Sequence, residues 1–379
     1  MKLAFYCNHL NHHQVRVADE LYELLGEDYV FIATLPRNKD SLKGGVDYSS
    51  RPYCILAGES NDAHDKALVL ARTADVCVFG ACSQEYAVER AKQKDCGLSF
   101  EMGERWLKRG LINVLSPTLR RWWMNYMRYY HRKPFYKLCS SAFVANDDNR
   151  LGAYRGRHFK WGYFTGVDCD FDVEASSDVS TTEITPLMWC ARFLSLKHPE
   201  LAVKLAQRLK DEGYRFVLDF YGSGEVEQKT RDMVEGLRLQ DVVRFHGAIP
   251  NEQVLKEMRR HKIFLFTSDR FEGWGAVANE AMSRGCALVG SDAIGSVPYL
   301  IDQCQNGMIF KSGNVDSLTN CVKALIDNRS LLEYIRQNAV ETMQAIWSPA
   351  AAARNLLQLI DDLQNGRSCS IERGPCSKA

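Results

Sequence analysis

IFLFTSDRFEGWGAVANEAMSRGCALVGS, residues 263–291, decides how this chain folds. Ile263 to Phe266 is an apolar run of strand length, and Ala287 to Val289 is another. Between them a polar, glycine-bearing loop leads into a predicted helix from about Ala276. A strand that passes through such a loop into a helix N-terminus brings unpaired backbone N–H groups together, a natural anion site. Two acids stand in the same unit, Glu272 in the loop and Glu280 in the helix, with seven residues between them. Acids flanking the site would repel a bare phosphate. The pattern fits a ligand with hydroxyls on either side of its phosphates, as nucleotide sugars have.

Working outward, the same unit recurs. Strands are predicted at 187–190, 216–220, 242–245, 263–266 and 287–289, each separated by a helical stretch. Five such units predict a doubly wound α/β domain over 187–346. A last helix begins near Pro349, at 350–363, within a segment taken as 347–364. The tail 365–379 shows no periodic pattern and reads as disordered. In the first half, strands are expected at 3–7, 29–33, 76–79, 142–145 and 160–164, with a helix over 14–25 stopped by Gly26. They make a first domain over 1–167. Between the domains, DCDFDVEASSDVSTTEITP (168–186) is acidic, rich in Ser and Thr, and ends in proline, as an inter-domain linker would.

Bulk properties bound the function. At 379 residues the chain suits two domains, and 46% hydrophobic with 25% charged residues is the make-up of a soluble globular protein. A net charge of +1 weighs against a general nucleic-acid-binding surface. No apolar run approaches bilayer length, and the apolar stretch in MKLAFYCNHLNHH is too short for a signal-peptide core. Thirteen scattered cysteines without a CxxC pair favour a reducing cytoplasm, where they act as small apolar side chains.

The residues able to hold a ligand fall after successive strands of the second half, where open α/β sheets bind them. Arg192 and, five residues on, Lys197 follow the first strand. Gly222-Ser223-Gly224 follows the second, His246-Gly247 the third, and the Glu272 to Glu280 unit the fourth. A helix N-terminus contributes only about 0.3–1 kcal/mol toward a nearby charge. Charge-assisted hydrogen bonds from Arg192 and Lys197 add roughly 1.5–3 kcal/mol each, so the cations should dominate phosphate binding. Gly273, Trp274, Gly275 and Ala276 bring backbone close to the ligand, and Glu280 is placed to accept from ribose hydroxyls while Glu272 meets the sugar. Each piece alone has a plainer reading. Glu280 and Arg284 are spaced for an ion pair on one helix, the Gly-Ser-Gly for a simple turn, and the cations for solvent.

This constellation resembles the retaining glycosyltransferases of family GT4, which have the GT-B fold. The likeness rests on Glu272-Gly-Trp-Gly-Ala-Val-Ala-Asn-Glu280 followed by Ala281-Met282 and Gly285, on Arg192 with Lys197, and on Val243 to Pro250 (VRFHGAIP) as the segment against the nucleobase. It covers most of 187–345. It implies two facing Rossmann-like domains, with the last helix crossing back to the first. It also implies a nucleotide-sugar donor held by the second domain, and hexosyl transfer with retained configuration and no metal or other cofactor. By this likeness Glu272, Arg192 and Lys197 are catalytic, while Gly222, His246, Gly273, Trp274, Gly275, Ala276 and Glu280 bind the donor. The stretches SFEMGER (99–105) and KWGYF (160–164) look like those of bacterial surface-polysaccharide enzymes.

The first half departs from the family's glycine-rich first loop, since residues 8–14 hold no glycine. His12, His13 and Glu101 are the candidates there for meeting acceptor or donor sugar. Asp168-Cys169-Asp170 imitates a metal motif of another fold but sits in the expected linker. Residues 105–137 are basic and aromatic, including Trp106, Trp122, Trp123, Tyr126, Tyr129 and Tyr130. They are expected to lie on anionic lipid at the inner face of the cell membrane with the rings at headgroup level, next to a lipid-linked glycan acceptor. The competing readings are a nucleotide-sugar epimerase or phosphorylase of the same fold, and a non-catalytic nucleotide-sugar-binding subunit.

Overall fold

In the computed structural model, residues 1–36, 47–167 and 184–379 are described. They form two units, 1–165 with 347–379, and 166–346. Most of the expected linker, and Asp168 and Asp170 with it, lies outside the described residues.

The first unit is built on seven parallel strands, β1 (Leu3–Cys7), β2 (Tyr29–Ala33), β3 (Cys54–Leu56), β4 (Val76–Phe79), β5 (Ser99–Gly103), β6 (Phe135–Cys139) and β7 (His158–Lys160). Their spatial order is 3-2-1-4-5-6-7. The second unit has six, β8 (Thr185–Cys190), β9 (Phe216–Tyr221), β10 (Val243–Phe245), β11 (Ile263–Phe266), β12 (Ala287–Ser291) and β13 (Gly307–Phe310), in the order 10-9-8-11-12-13. Every pairing in both sheets is parallel. Each sheet therefore needs helical crossovers and is covered by them. In each, the order reverses beside the first strand, between β1 and β4 and between β8 and β11, which opens a crevice at the carboxyl ends.

The helices obey the sequence's own stops. Val15–Leu25 buries Val15, Val17, Ala18 and Leu21 along one face and ends at Gly26, whose φ is 57°. Pro349–Gln364 starts on Pro349 behind Ser348, whose hydroxyl accepts from the Ala351 N–H at 3.2 Å. That last helix packs on Val15–Leu25 in the first unit.

Four expectations need correcting. The strand expected at 142–145 is a turn running into the helix Val144–Arg150, and the true strand is β6. Its pattern is hidden by Lys137, a buried cation that breaks the apolar run. The last strand of the first half is His158–Lys160, and Trp161 packs edge-on to Phe164 in the irregular stretch beyond it. The sixth strand of the second unit, β13, and the strands β3 and β5 carry too few apolar residues to stand out. The segment after Gln364 is packed, not disordered. Asp362 accepts from the Ser370 N–H at 2.9 Å and its hydroxyl at 2.7 Å, and Cys376 donates its N–H to the Lys160 carbonyl at 2.7 Å. Irregular backbone held by such single bonds leaves no period to read.

Candidate active site

The loop after β8 is laced to its neighbours. Phe193 N–H donates to the Ser223 carbonyl at 2.9 Å, and Gly222 N–H to the Gly247 carbonyl at 2.7 Å. A Cβ on Gly222 (φ 124°) would meet the Ala191 carbonyl oxygen at 1.9 Å. Gly222 is thus needed for three loops to close on one another, and it can serve a ligand only through its backbone.

A second set of bonds joins that loop to the one after β11. Trp189 Nε1 donates to Thr267 Oγ1 at 2.9 Å, Thr267 Oγ1 donates to the Lys197 carbonyl at 2.7 Å, and Asp269 N–H donates to the Leu196 carbonyl at 3.0 Å. This fastening sets the Lys197 ammonium directly on Glu272 Oε2. Both side chains are largely buried, 14% and 13% exposed, and Ser268 Oγ donates to the same Glu272 oxygen at 3.1 Å. Arg192, at the end of β8, is exposed and makes no ion pair among the described residues. The edge thus offers one cation committed to a carboxylate and one open to a ligand.

The glycine loop takes its shape from packing. Gly275 has φ 78°, and a Cβ there would lie 2.2 Å from Phe266 Cζ. Trp274 is buried, with its indole N–H donating to Asn279 Oδ1 at 2.8 Å, so its side chain anchors the loop instead of facing a donor. Gly273 and Ala276 are likewise buried, and the helix that follows, Val277–Met282, is a turn and a half long. So short a helix adds little to anion binding, which leaves the charge with Arg192 and Lys197. Glu280 accepts from Asn251 Nδ2 at 3.4 Å, and Arg284 donates to the Ser283 hydroxyl at 2.7 Å. Burial raises the Glu280 carboxyl above its ordinary value. Cys190, ending β8, has its thiol pushed up to about 12, first by burial and then by Glu280, with Lys197 opposing. The Cys190 thiol therefore feels both the acid and the cation.

His246 lies beyond β10. Its ring stacks on Tyr221 at 4.5 Å, and Nε2 is 2.6 Å from Asp219 Oδ1. Asp219 also receives His261 Nε2 at 3.0 Å. Burial drives the Asp219 carboxyl up, but hydrogen bonds from His261 and His246 outweigh it and hold the carboxyl below its usual range. An ionised Asp219 only accepts, so His246 donates to it from Nε2 and its Nδ1 edge points away from Asp219. Asp219, His261 and Ser268 were not among the expected site residues. The signal for Asp219 is a lone acid inside the apolar strand FVLDFY.

His12, His13 and Glu101 belong to the first unit. The two imidazoles lie 3.7 Å apart, His13 stacks on Tyr163 at 5.3 Å, and its carbonyl accepts from the Phe164 N–H at 3.2 Å. Glu101 accepts from Trp122 Nε1 at 2.5 Å, Lys137 Nζ at 3.0 Å and Tyr154 OH at 2.7 Å. Burial pulls the Lys137 ammonium down, but Glu101 and Asp148 beside it outweigh this and hold it above its ordinary value. With three donors, Glu101 is held as a structural acid on the wall of a cleft of about 900 Å³. Gly80, Arg105, Trp106, Arg121 and Asn125 also line that cleft.

Residues 185–342 match the family described as glycosyl transferases group 1. This part of the chain is a group 1 glycosyl transferase domain. The chain is 27% identical over 159 residues to a poly(glycerol-phosphate) alpha-glucosyltransferase of Bacillus subtilis (strain 168), a match covering 42% of this chain and 23% of that protein. It is 24% identical over 180 residues to the putative colanic acid biosynthesis glycosyltransferase WcaL of Escherichia coli (strain K12), covering 46% of this chain and 44% of the relative. The chain thus spans less than half the length of these curated relatives. Among solved structures, Anabaena Alr3699/HepE in complex with UDP is similar over 96% of this chain and 100% of its own, with a TM-score of 0.69 at 13% identity. A glycosyltransferase from Rickettsia africae ESF-5 gives a TM-score of 0.66 at 14% identity, over 96% and 98% of the two chains. With its two parallel Rossmann-like sheets, the protein has the fold of the GT-B glycosyltransferases.

Proposed function

We propose that this protein is a GT4-type retaining glycosyltransferase. It moves a sugar from a nucleotide-sugar donor to a lipid-linked glycan acceptor in cell-surface polysaccharide synthesis, on the cytoplasmic side of the membrane. The observation that carries this reading is the Lys197–Glu272 pair, fixed between the loops after β8 and β11 with Arg192 open beside it. In this reading Arg192 and Lys197 take the diphosphate and stabilise the charge that develops as it leaves. Glu272 turns from Lys197 to the donor sugar and supports positive charge at its reacting carbon. The acceptor attacks from the face the diphosphate leaves, and the departing phosphate oxygen takes its proton. No metal takes part, because the two cations supply the charge a metal would.

Glu280 accepts from the ribose hydroxyls, and the His246 Nδ1 face meets the base. The structures of relatives with UDP bound support a uridine nucleotide as the first donor to try. Thermal shift of the purified protein against UDP-, GDP-, dTDP- and ADP-sugars, with and without EDTA, tests the reading. One nucleotide class should stabilise the protein, unaffected by EDTA, and Arg192→Ala should abolish the shift. Stabilisation by none, or an equal shift in the variant, would sink it.

A further inference from the structure

Of the fourteen large hydrophobic side chains exposed among the described residues, seven fall in one short stretch of the first unit. Leu111, Ile112 and Leu115 are 69%, 65% and 65% exposed, Met124 57%, and Val114, Trp123 and Met127 39% each. Leu111, Ile112, Val114 and Leu115 lie on the 3-10 stretch Gly110–Leu115, and Trp123, Met124 and Met127 on the helix Pro117–Asn125 and the wider turn Tyr126–Tyr130 that continues it. The two stretches adjoin, because Arg120 Nε donates to the Val114 carbonyl at 3.0 Å. Arg120, Trp123, Met124 and Met127 follow one another at three, four and seven positions and so share one helix face. The opposite face, with Leu119, Trp122, Tyr126 and Tyr130, is core. Folding therefore spends most of the aromatic rings expected at a lipid headgroup inside the unit, and leaves aliphatic side chains outside.

Charge decides what covers this face. From Arg105 to Asn146 there is no acidic residue, in a chain whose net charge is only +1. Arg109, Arg120, Arg121, Arg128 and Arg132 along that stretch are all exposed. Long aliphatic side chains rimmed by arginines, with no acid in their own stretch of sequence, match an anionic bilayer surface. A protein partner or a second copy would need acids of its own set around an apolar groove. We infer that Leu111, Ile112, Leu115 and Met124 enter the acyl boundary of an anionic membrane while the arginines hold its phosphates. This surface lies wholly in the first unit, apart from the donor site. It rests on the proposed function only for its use, which is to bring a lipid-linked acceptor to the enzyme.

Flotation of the full chain with vesicles tests this, using phosphatidylcholine alone and phosphatidylcholine mixed with phosphatidylglycerol. The protein should float with the mixed vesicles and at least about tenfold less with the neutral ones. Replacing Leu111→Ser, Ile112→Ser and Leu115→Ser together should cut flotation about tenfold, with an unchanged melting temperature and an unchanged nucleotide thermal shift. These side chains are exposed, so the variant keeps its core. Equal flotation of variant and parent, or no preference for the anionic vesicles, would overturn the inference. A dimer in light scattering that the triple variant dissociates would overturn it too, by assigning the face to a second copy. Nucleotide binding reads the donor site separately, so failure of one reading does not mimic failure of the other.

Discussion

At the scale of residues, Lys197 and Glu272 are bound to each other before any donor arrives. On the proposed function, a diphosphate competes with Glu272 for the ammonium and in doing so releases the carboxylate for the sugar. Lys197→Ala should weaken donor binding by roughly ten- to a hundredfold, the worth of about 1.5–3 kcal/mol of charge-assisted bonding, as titration calorimetry would show. Gly275→Ala should cost far more than a helix-propensity change, because its φ is 78° and the new methyl would meet Phe266 at 2.2 Å. A melting temperature lowered by several degrees together with lost nucleotide binding is the expected outcome, and an unchanged protein would refute it. His198 supplies a pH dependence. Its Nδ1 is 2.6 Å from Glu200 and its Nε2 3.2 Å from Asp269, and the Glu200 bond foremost raises the imidazole against the pull of burial. A raised histidine stabilises fully below the unfolded value of about 6.5 and loses that contribution as pH rises through its folded value. The gap in melting temperature between the protein and His198→Gln should be widest near pH 6 and close by about pH 9.

At the scale of elements, what hid β5 and β6 from the sequence is also what holds them together. Lys137 interrupts an otherwise apolar run and Glu101 divides the already mixed SFEMG, and in the fold they meet across the β5–β6 pairing at 3.0 Å. Lys137→Met leaves Glu101 without its cation and should cost about 3–5 kcal/mol in urea unfolding, with part regained in Glu101→Gln/Lys137→Met. By contrast β1, β2, β4 and β11 are apolar throughout, and their bounds are those the sequence predicts. Strands are legible where both faces are buried among apolar neighbours, and they blur where a buried ion pair or a short edge replaces them. The tail is the extreme case, since its order comes from irregular bonds to Asp362 and from the edge of β7, which lies far away in sequence.

For the whole molecule, the site was legible as far as it is local. Strand, glycine loop and acids lie within 263–291, so residue type and spacing were enough to single out Glu272 and Glu280 as candidates. That Lys197 sits on Glu272 depends on the bonds of Thr267 and Asp269 across two loops, and that Trp274 is an anchor depends on Asn279, so only the fold reveals either. The same holds for the surface proposed to face lipid, where composition indicated lipid but packing leaves the aliphatic side chains exposed rather than most of the rings. The central claim is that Glu272 acts on the sugar while the cations hold the diphosphate, and Glu272→Gln tests it most directly. With the nucleotide sugar that stabilises the protein, transfer rate and donor Kd should be measured on both forms. The account predicts that kcat falls by at least about a hundredfold, some 2.7 kcal/mol of transition-state stabilisation, with Kd unchanged or tighter because Lys197 is freed. A Kd weakened in step with the rate, or a kcat left as it was, would contradict it.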